Sequence, residues 1–296
     1  MDQALTLKEI INKTAVKGKT RMSDRKIKVI SITSGKGGVG KTSVVANLAF
    51  ALTKLGKKVL VLDADMGLGN LDVMLGLTPV YSLQNVINGD IGIEDVLTKG
   101  PGEMMILPAS SGVQELSDLS PQQKLNLLTE LDKLDYPFDI MLIDTAAGIS
   151  GNVMYFNTAA QDIIVIASPE PTSITDAYAM MKVLHKKYGE DHFKLLVNMA
   201  GDPGEGDEVY RKLSTAADRF LNISIDYSGC ILQDKHVGKS VMEQRSVLDI
   251  YPASEASRCF IALAKVVCDW PEKPHLKGNI QFLWKRLMGQ TGWSEI

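Results

Sequence analysis

A short glycine-rich segment constrains this sequence more than any other feature. The apolar run at residues 29–32 leads into it, and Gly35 to Thr42 read G-x-x-x-x-G-K-T, a phosphate-binding pattern between a strand and a helix. Glycines let the backbone curl until successive N–H groups point at phosphate oxygens, and the helix N-terminus adds its positive dipole end. We expect Lys41 to neutralise the β- and γ-phosphates and the Thr42 hydroxyl to bind Mg²⁺.

Further apolar runs of strand length alternate with helical patterns. The runs lie at residues 59–62, 140–143, 163–166 and 195–197. They are short and continuous, as strands buried on both faces are. Helical periodicity occupies residues 44–55, 122–134, 175–187 and 255–268. Strands that alternate with helices form right-handed crossovers, so the predicted fold class is α/β, a three-layer, mostly parallel sheet with helices on both faces.

The chain divides into a central P-loop domain at residues 27–270 and two different ends. Residues 1–26 carry seven basic and three acidic side chains, which predicts a basic, flexible arm with one short helix. Prolines stop the last domain helix and release residues 271–296. Apolar residues recur there at helical spacing beside basic ones, which predicts an amphipathic membrane-targeting helix, with docking on the domain as the alternative. The predicted membrane-contacting residues are Ile280, Leu283, Trp284, Lys285, Arg286 and Leu287.

Composition argues against several classes of protein. The 32 basic and 35 acidic side chains give a net charge of −3, which counts against direct nucleic-acid binding by a basic surface. The three cysteines show no C-x-x-C spacing, so neither a zinc site nor a disulfide framework is indicated. No apolar run approaches the ~20 residues that span a bilayer, and the polar start lacks the core of a signal peptide. We therefore expect a cytoplasmic protein.

Acidic side chains end two of the predicted strands. Asp63 and Asp65 are two residues apart and share a face, and Asp144 ends the run at 140–143. Ligands of open α/β sheets bind beyond the carboxyl ends of strands, so these groups are expected beside the phosphate loop. Asp144 would hold Mg²⁺ through water, Asp65 would orient the attacking water, and Asp63 would support the metal shell. Capping or turn formation is the alternative role. The predicted metal-binding residues are Thr42, Asp63, Asp65 and Asp144.

Three motifs together resemble the deviant-Walker-A ATPases of the MinD/ParA class. They are Lys36-Gly-Gly-Val-Gly-Lys41-Thr42, residues 63–72 and Asp144-Thr-Ala-Ala-Gly148, and the match covers nearly all of residues 27–268. The resemblance implies that ATP with Mg²⁺ drives a face-to-face homodimer, and that the chain is a monomer with ADP or no nucleotide. Lys36 of each subunit would touch the other's nucleotide; a solvated lysine is the alternative. The implied catalytic residues are Lys36, Asp65 and Asp144.

The same resemblance implies contacts to the base. The family's base-contacting asparagine matches Asn198, and residues 229–234 match the segment that lines the adenine, although Leu232 stands where the family often has proline. Glu170 matches a position near the nucleotide across the dimer. The predicted nucleotide-binding residues are Gly35, Lys36, Gly37, Gly38, Val39, Gly40, Lys41, Thr42, Ser43, Asn70, Glu170, Asn198, Ile231 and Asp234.

Softer segments look like the FlhG-like branch of this family, whose members regulate flagellar number. The start Asp2-Gln-Ala-Leu-Thr-Leu-Lys8 is similar to the branch's D-Q-A-x-x-L-R element, which stimulates the GTPase FlhF, and residues 244–252 also look FlhG-like. Lysine at position 8 carries the charge of the family's arginine but lacks its planar fork. The predicted partner-binding residues are Asp2, Gln3, Ala4, Leu7 and Lys8.

The resemblance implies a slow ATP hydrolase that regulates flagellar number or placement. It would cycle between the cytosol and the inner face of the cell membrane at a polar or flagellar site. The implied partners are an FlhF-like GTPase, the flagellar C-ring or a flagellar transcription regulator, and membrane lipids. A MinD-like division-site ATPase and a ParA-like partitioning ATPase are the alternatives. A metal-cluster carrier is disfavoured because Cys259 and Cys268 lie nine apart on one predicted helix.

Overall fold

The structure is a computed structural model that describes residues 27–65, 69–108 and 137–271, with residues 120, 122, 123, 126, 129 and 130. The predicted arm at residues 1–26 and the predicted tail helix lie outside the described residues. Of the helix predicted at 122–134, only five positions are described, and these are helical.

A parallel sheet organises the described part of the chain. Its strands are β1 Lys28–Thr33, β2 Val59–Ala64, β3 Thr98–Lys99, β4 Met105–Leu107, β5 Ile140–Thr145, β6 Asp162–Ala167, β7 His192–Ala200 and β8 Ser224–Leu232. They pair in the order β3-β4-β2-β5-β1-β6-β7-β8. Within the described ranges every pairing is parallel except that of β3 with β4.

Helices connect the strands and cover both faces of the sheet. They are α1 Lys41–Lys54, α2 Leu71–Met74, α3 Leu83–Asn88, α4 Ile93–Val96, α5 Gly151–Ala159, α6 Pro171–Tyr188, α7 Pro203–Phe220, α8 Lys235–Met242, α9 Val247–Ile250 and α10 Glu255–Asp269, with a 3₁₀ turn at Pro101–Glu103. None of these described helices is both long and apolar enough to cross a bilayer.

Alternate residues of the central strands face two different apolar layers. Ile30 and Leu142 pack with buried residues of α1 and α10 on one face. Val29 and Met141 pack with Phe156 of α5 on the other face, and the layer continues under α6 and α7 next to β6 and β7. Two helical layers therefore enclose the sheet, which confirms the predicted three-layer α/β fold.

The five predicted strands and three of the four predicted helices are confirmed, whereas three strands were missed. The missed strands β3 and β4 are two and three residues long, too short to form a periodic pattern. The third, β8, lies at the edge of the sheet, and exposed residues such as Ser224 and Asp226 interrupt its apolar ones. Continuous apolar runs are typical of central strands that are buried on both faces, and an edge strand lacks such a run.

The sheet order brings the predicted site together. Because β5 lies between β1 and β2, the last residues of all three strands meet at one edge. In the strand register Asp144 is paired with Ile32 on one side and with Asp63 on the other. The connection after β1 is the glycine-rich loop, so it starts beside both carboxylates.

The start of β1 is fixed to the end of α10 at the opposite edge of the sheet. The Lys28 ammonium group donates hydrogen bonds to the carbonyl oxygens of Val267, at 3.1 Å, and Trp270, at 2.9 Å. Backbone carbonyls at a helix C-terminus have no partner within the helix, and a cation there also opposes the negative end of the helix dipole. This contact fixes the place from which residues after 271 leave the domain.

Candidate nucleotide site

The glycine-rich loop is curled by hydrogen bonds within itself and to the segment that follows β5. The Ser34 hydroxyl donates to the carbonyl of Lys36 at 2.9 Å, and the backbone N–H of Gly148 donates to the carbonyl of Ser34 at 3.0 Å. Gly40, just before α1, has φ of 82°, in the left-handed region where glycine is favoured. The loop therefore already has the turned backbone that a phosphate cradle requires.

At two positions of the loop only glycine fits, because neighbouring residues lie too close to leave room for a Cβ atom. A Cβ atom on Gly35 would lie 2.2 Å from the carbonyl oxygen of Asp176 on α6. A Cβ atom on Gly40 would lie 2.5 Å from Nδ2 of Asn198. That Nδ2 donates a hydrogen bond to the carbonyl of Val39 at 2.8 Å, so the predicted base-contacting asparagine lies against the loop.

The loop lysine that begins α1 is buried against a carboxylate. Lys41 Nζ lies 2.6 Å from Asp144 Oδ1, and their side chains are only 8% and 1% exposed. Burial raises the pKa of Asp144, and the charge and hydrogen bond of Lys41 and a hydrogen bond with Thr42 oppose that rise. Lys41, Thr42 and Asp144 thus meet at one point, as predicted for the phosphate and Mg²⁺ positions.

A second buried carboxylate lies next to this pair. Asp63 is 3% exposed, and its Oδ1 accepts a hydrogen bond from the backbone N–H of Asp65 at 3.1 Å. Burial, followed by the negative charge of Asp144, raises the pKa of Asp63 from 3.8 to about 7. The repulsion between these two carboxylates shows that a positive charge beside them would be strongly favoured.

The donor atoms fit a magnesium ion. Thr42, Asp63 and Asp144 offer oxygen atoms, which Mg²⁺ prefers, and a cavity of about 320 Å³ adjoins Asp63 and Asp65. Among the described residues, no three or more His, Cys, Asp or Glu side chains form a complete metal site. Mg²⁺ commonly uses one or two carboxylates and takes its other ligands from water and phosphate oxygens, so an incomplete protein shell agrees with it.

The two residues predicted to act across a dimer contact each other within one chain. Lys36 Nζ lies 2.6 Å from Glu170 Oε2, and it donates a second hydrogen bond to the Thr172 hydroxyl at 3.0 Å. Both ends of the ion pair are exposed, at 31% for Lys36 and 65% for Glu170. Thr172 was not predicted as a partner of Lys36. Its position two residues after Glu170, at the start of α6, was the one sequence feature that could have indicated it.

Three other predicted nucleotide-binding residues have different surroundings. Asn70 is exposed at the start of α2. Ile231 is paired with Asn198 in the β7–β8 register, but its side chain is buried in the apolar core. Asp234 caps α8: its carboxylate accepts from the backbone N–H groups of His236 at 2.9 Å and Ala256 at 3.2 Å. Nucleotide contacts by these residues remain predictions.

The raised pKa of Asp63 leads to a pH dependence of stability in the nucleotide-free protein. The folded chain holds a proton on Asp63 up to about pH 7, whereas an unfolded chain releases it near 3.8. Because the folded state then binds more protons, stability falls as pH rises from about 4 to 7. We expect Asp63→Asn to reduce that fall by on the order of 4 kcal/mol, measured by urea unfolding at several pH values. The exposed Asp90→Asn serves as control, and an unchanged slope in Asp63→Asn would contradict the expectation.

Several known proteins are similar to this chain in sequence. A family model described as an AAA domain matches residues 27–194. Antiactivator FleN of Pseudomonas aeruginosa is 45% identical over 262 residues, which cover 88% of this chain and 94% of FleN. Flagellum site-determining protein YlxH of Helicobacter pylori is 30% identical over 297 residues, with 98% and 99% of the two chains covered.

Solved structures of MinD proteins have the same fold. The septum site-determining protein MinD complexed with Mg-ADP from Pyrococcus horikoshii OT3 superposes with a TM-score of 0.66 at 28% identity, covering 82% of this chain and 96% of that chain. MinD in the MinC:MinD cell division protein complex of Aquifex aeolicus has the same score and identity, with 85% and 100% covered. The chain therefore belongs to the MinD/ParA class of AAA-domain ATPases, enzymes that hydrolyse ATP with Mg²⁺.

Proposed function

We propose that this ATPase is a dimerising switch that regulates flagellar number or placement and binds the inner membrane surface in its ATP form. The observation that carries the flagellar role is the similarity, over 88% of the chain, to the antiactivator FleN, supported by the flagellum site-determining protein YlxH. MinD relatives make division-site placement the second candidate, with 33% identity over 71% of this chain for MinD of Bacillus subtilis.

The surroundings of Lys36 support association through the nucleotide. Lys41 already lies buried beside Asp144, so a second loop lysine is not needed to hold the phosphates within one chain. Lys36 is held only at the surface, by Glu170 and Thr172, and exposed ion pairs contribute at most about 1 kcal/mol. Its ammonium group can therefore exchange these partners for a phosphate held by a second copy at little cost.

Slow hydrolysis without a partner is supported by the charges around Asp65. The adjoining cavity has no basic side chain in its described lining, and the buried Lys41 is already paired with Asp144. Phosphoryl transfer is accelerated by a cation that stabilises the charge of the transition state. We infer that Asp65 orients the attacking water and that an associating molecule brings the additional cation.

The association is tested by the solution mass of two variants with ATP and Mg²⁺. We expect Asp65→Ala to bind ATP without turning it over and to remain a dimer in light scattering, because the water is no longer oriented. Lys36→Ala should bind ATP and remain a monomer. Lys57→Ala, which removes an exposed lysine outside the site, is the matched control and should dimerise as the native chain does. A monomeric Asp65→Ala protein at saturating ATP would refute the dimer.

The tail pattern and the place where the tail leaves support membrane binding. The sequence spacing of Ile280, Leu283, Trp284 and Leu287 would place them on one face of a helix, and basic residues lie nearby in the sequence. Lys28 holds the end of α10 at the edge of the sheet opposite the glycine-rich loop, so the tail starts away from the nucleotide. One such helix binds a bilayer weakly, and two helices in a dimer would bind by avidity.

Membrane binding is tested by sedimentation with anionic liposomes. We expect the native chain with ATP to sediment and the chain lacking residues 276–296 to stay in solution. Leu283→Glu should also abolish binding, because it places a charge on the apolar face. Gln281→Glu adds the same charge on the other face and is the matched control. Equal sedimentation of the deletion and native proteins would exclude the tail as an anchor.

The flagellar role is tested by the partners that the ATP-bound form retains. With Asp65→Ala and ATP as bait, we expect an FlhF-like GTPase and flagellar C-ring or transcription-regulator proteins, whereas division inhibitors would indicate the MinD-like role. Adding Gln3→Ala to the bait should release only the GTPase, because Asp2, Gln3, Ala4, Leu7 and Lys8 are its proposed contact. Retention of the GTPase by that double variant would contradict this contact.

A further inference from the structure

One fully buried amide joins the glycine-rich loop to a distant segment of the chain. Asn47 lies on α1, one turn after Ser43, and is 0% exposed. Its Nδ2 donates to the Ser43 carbonyl at 2.8 Å. Its Oδ1 accepts from the Ser246 hydroxyl at 2.8 Å and from the backbone N–H of Val247 at 2.9 Å, across a separation of 199 and 200 residues.

A buried asparagine within a helix is destabilising unless its side chain forms hydrogen bonds that compensate. Asparagine is a poor residue for a helix interior, and an amide buried without partners is destabilising. The neighbours Ala46 and Leu48 are apolar and equally buried. An amide carries donors and an acceptor on one planar group, so it can bond to Ser43 and to Ser246 at the same time. Leucine could do neither.

The other end of this link is connected to α2, the helix that follows the segment with Asp63 and Asp65. Ser246 accepts from the backbone N–H of Leu248 at 3.2 Å and so caps α9 while it donates to Asn47. Two residues earlier, the Gln244 side chain donates to the carbonyl of Val73 on α2 at 2.9 Å. Residues 244–248 therefore contact α1, which follows the glycine-rich loop, and α2, which follows the segment that carries Asp63 and Asp65.

We propose that Asn47 is a positioning residue through which nucleotide binding and the conformation of residues 244–251 control each other. Phosphate that binds the loop would contact the first turn of α1, where Ser43 lies. Because Asn47 is hydrogen-bonded to both Ser43 and Ser246, a displacement of that turn would also displace Ser246. By thermodynamic linkage, a change imposed on residues 244–251 alters nucleotide affinity by the same factor. The link lies within one chain and does not depend on dimerisation.

The link is tested with Ser246→Ala, which removes the hydroxyl that donates to Asn47 and leaves the sequence of the glycine-rich loop unchanged. We expect the affinity for ADP with Mg²⁺, measured by calorimetry, to fall by at least ~3-fold and at most ~10-fold, because coupling through one hydrogen bond cannot exceed that bond's own contribution. Ser240→Ala is the matched control. It also removes a fully buried hydroxyl, but one that donates only to Val237 within α8, at 2.8 Å, and its affinity should stay within about twofold of native.

Hydrogen exchange at Val247 separates coupling from a merely structural role. Its N–H donates to Asn47, so in the native chain we expect ADP with Mg²⁺ to slow exchange there. In Ser246→Ala that slowing should be lost, while the loop amides still respond to nucleotide. If Ser246→Ala is less stable yet keeps native affinity and native slowing, the proposal is overturned. Should that variant not fold, exchange at Val247 in the native chain that is insensitive to nucleotide overturns it as well.

Discussion

Three charged side chains are buried together where β1, β2 and β5 end. The ammonium group of Lys41 lies 2.6 Å from Asp144, and Asp63 is the register partner of Asp144 on the adjacent strand. Burial, followed by the negative charge of Asp144, raises the pKa of Asp63 to about 7, and the one positive charge of Lys41 does not balance both carboxylates. The sheet order fixes these positions, because β5 is the neighbour of both other strands. The nucleotide-free fold thus gives up stability at the place where we propose that a metal and phosphates bind.

The parts of the fold that could be predicted from sequence are those whose signal is local. The glycine-rich loop has a fixed spacing, and the five central strands are continuous apolar runs because they are buried on both faces. Asp63 and Asp144 were predicted from their places at strand ends, and the structure puts them side by side. In contrast, β8 is an edge strand whose mixed pattern follows from its half-exposed position.

Other features depend on tertiary contacts that no local pattern reveals. The bond of Lys36 to Glu170 requires the start of α6 to lie beside the loop, and Gly35 permits this by approaching Asp176 closely. Asp234 caps α8 through the nearby N–H of His236, but its second bond, from the N–H of Ala256 on α10, joins residues that are far apart in sequence. The sequence shows Asn47 as a single amide within the apolar run of α1, which indicates a polar contact there. Its partners Ser246 and Val247 follow only from the packing of α9.

The bonds from Lys28 to Val267 and Trp270 have a consequence for both ends of the chain. Residue 27 and residue 271 both lie next to this contact, so the segments before and after the domain are attached to it at neighbouring points. These two attachment points lie at the edge of the sheet opposite the glycine-rich loop. A molecule bound close to one attachment point would therefore lie near the other and far from the proposed phosphate position.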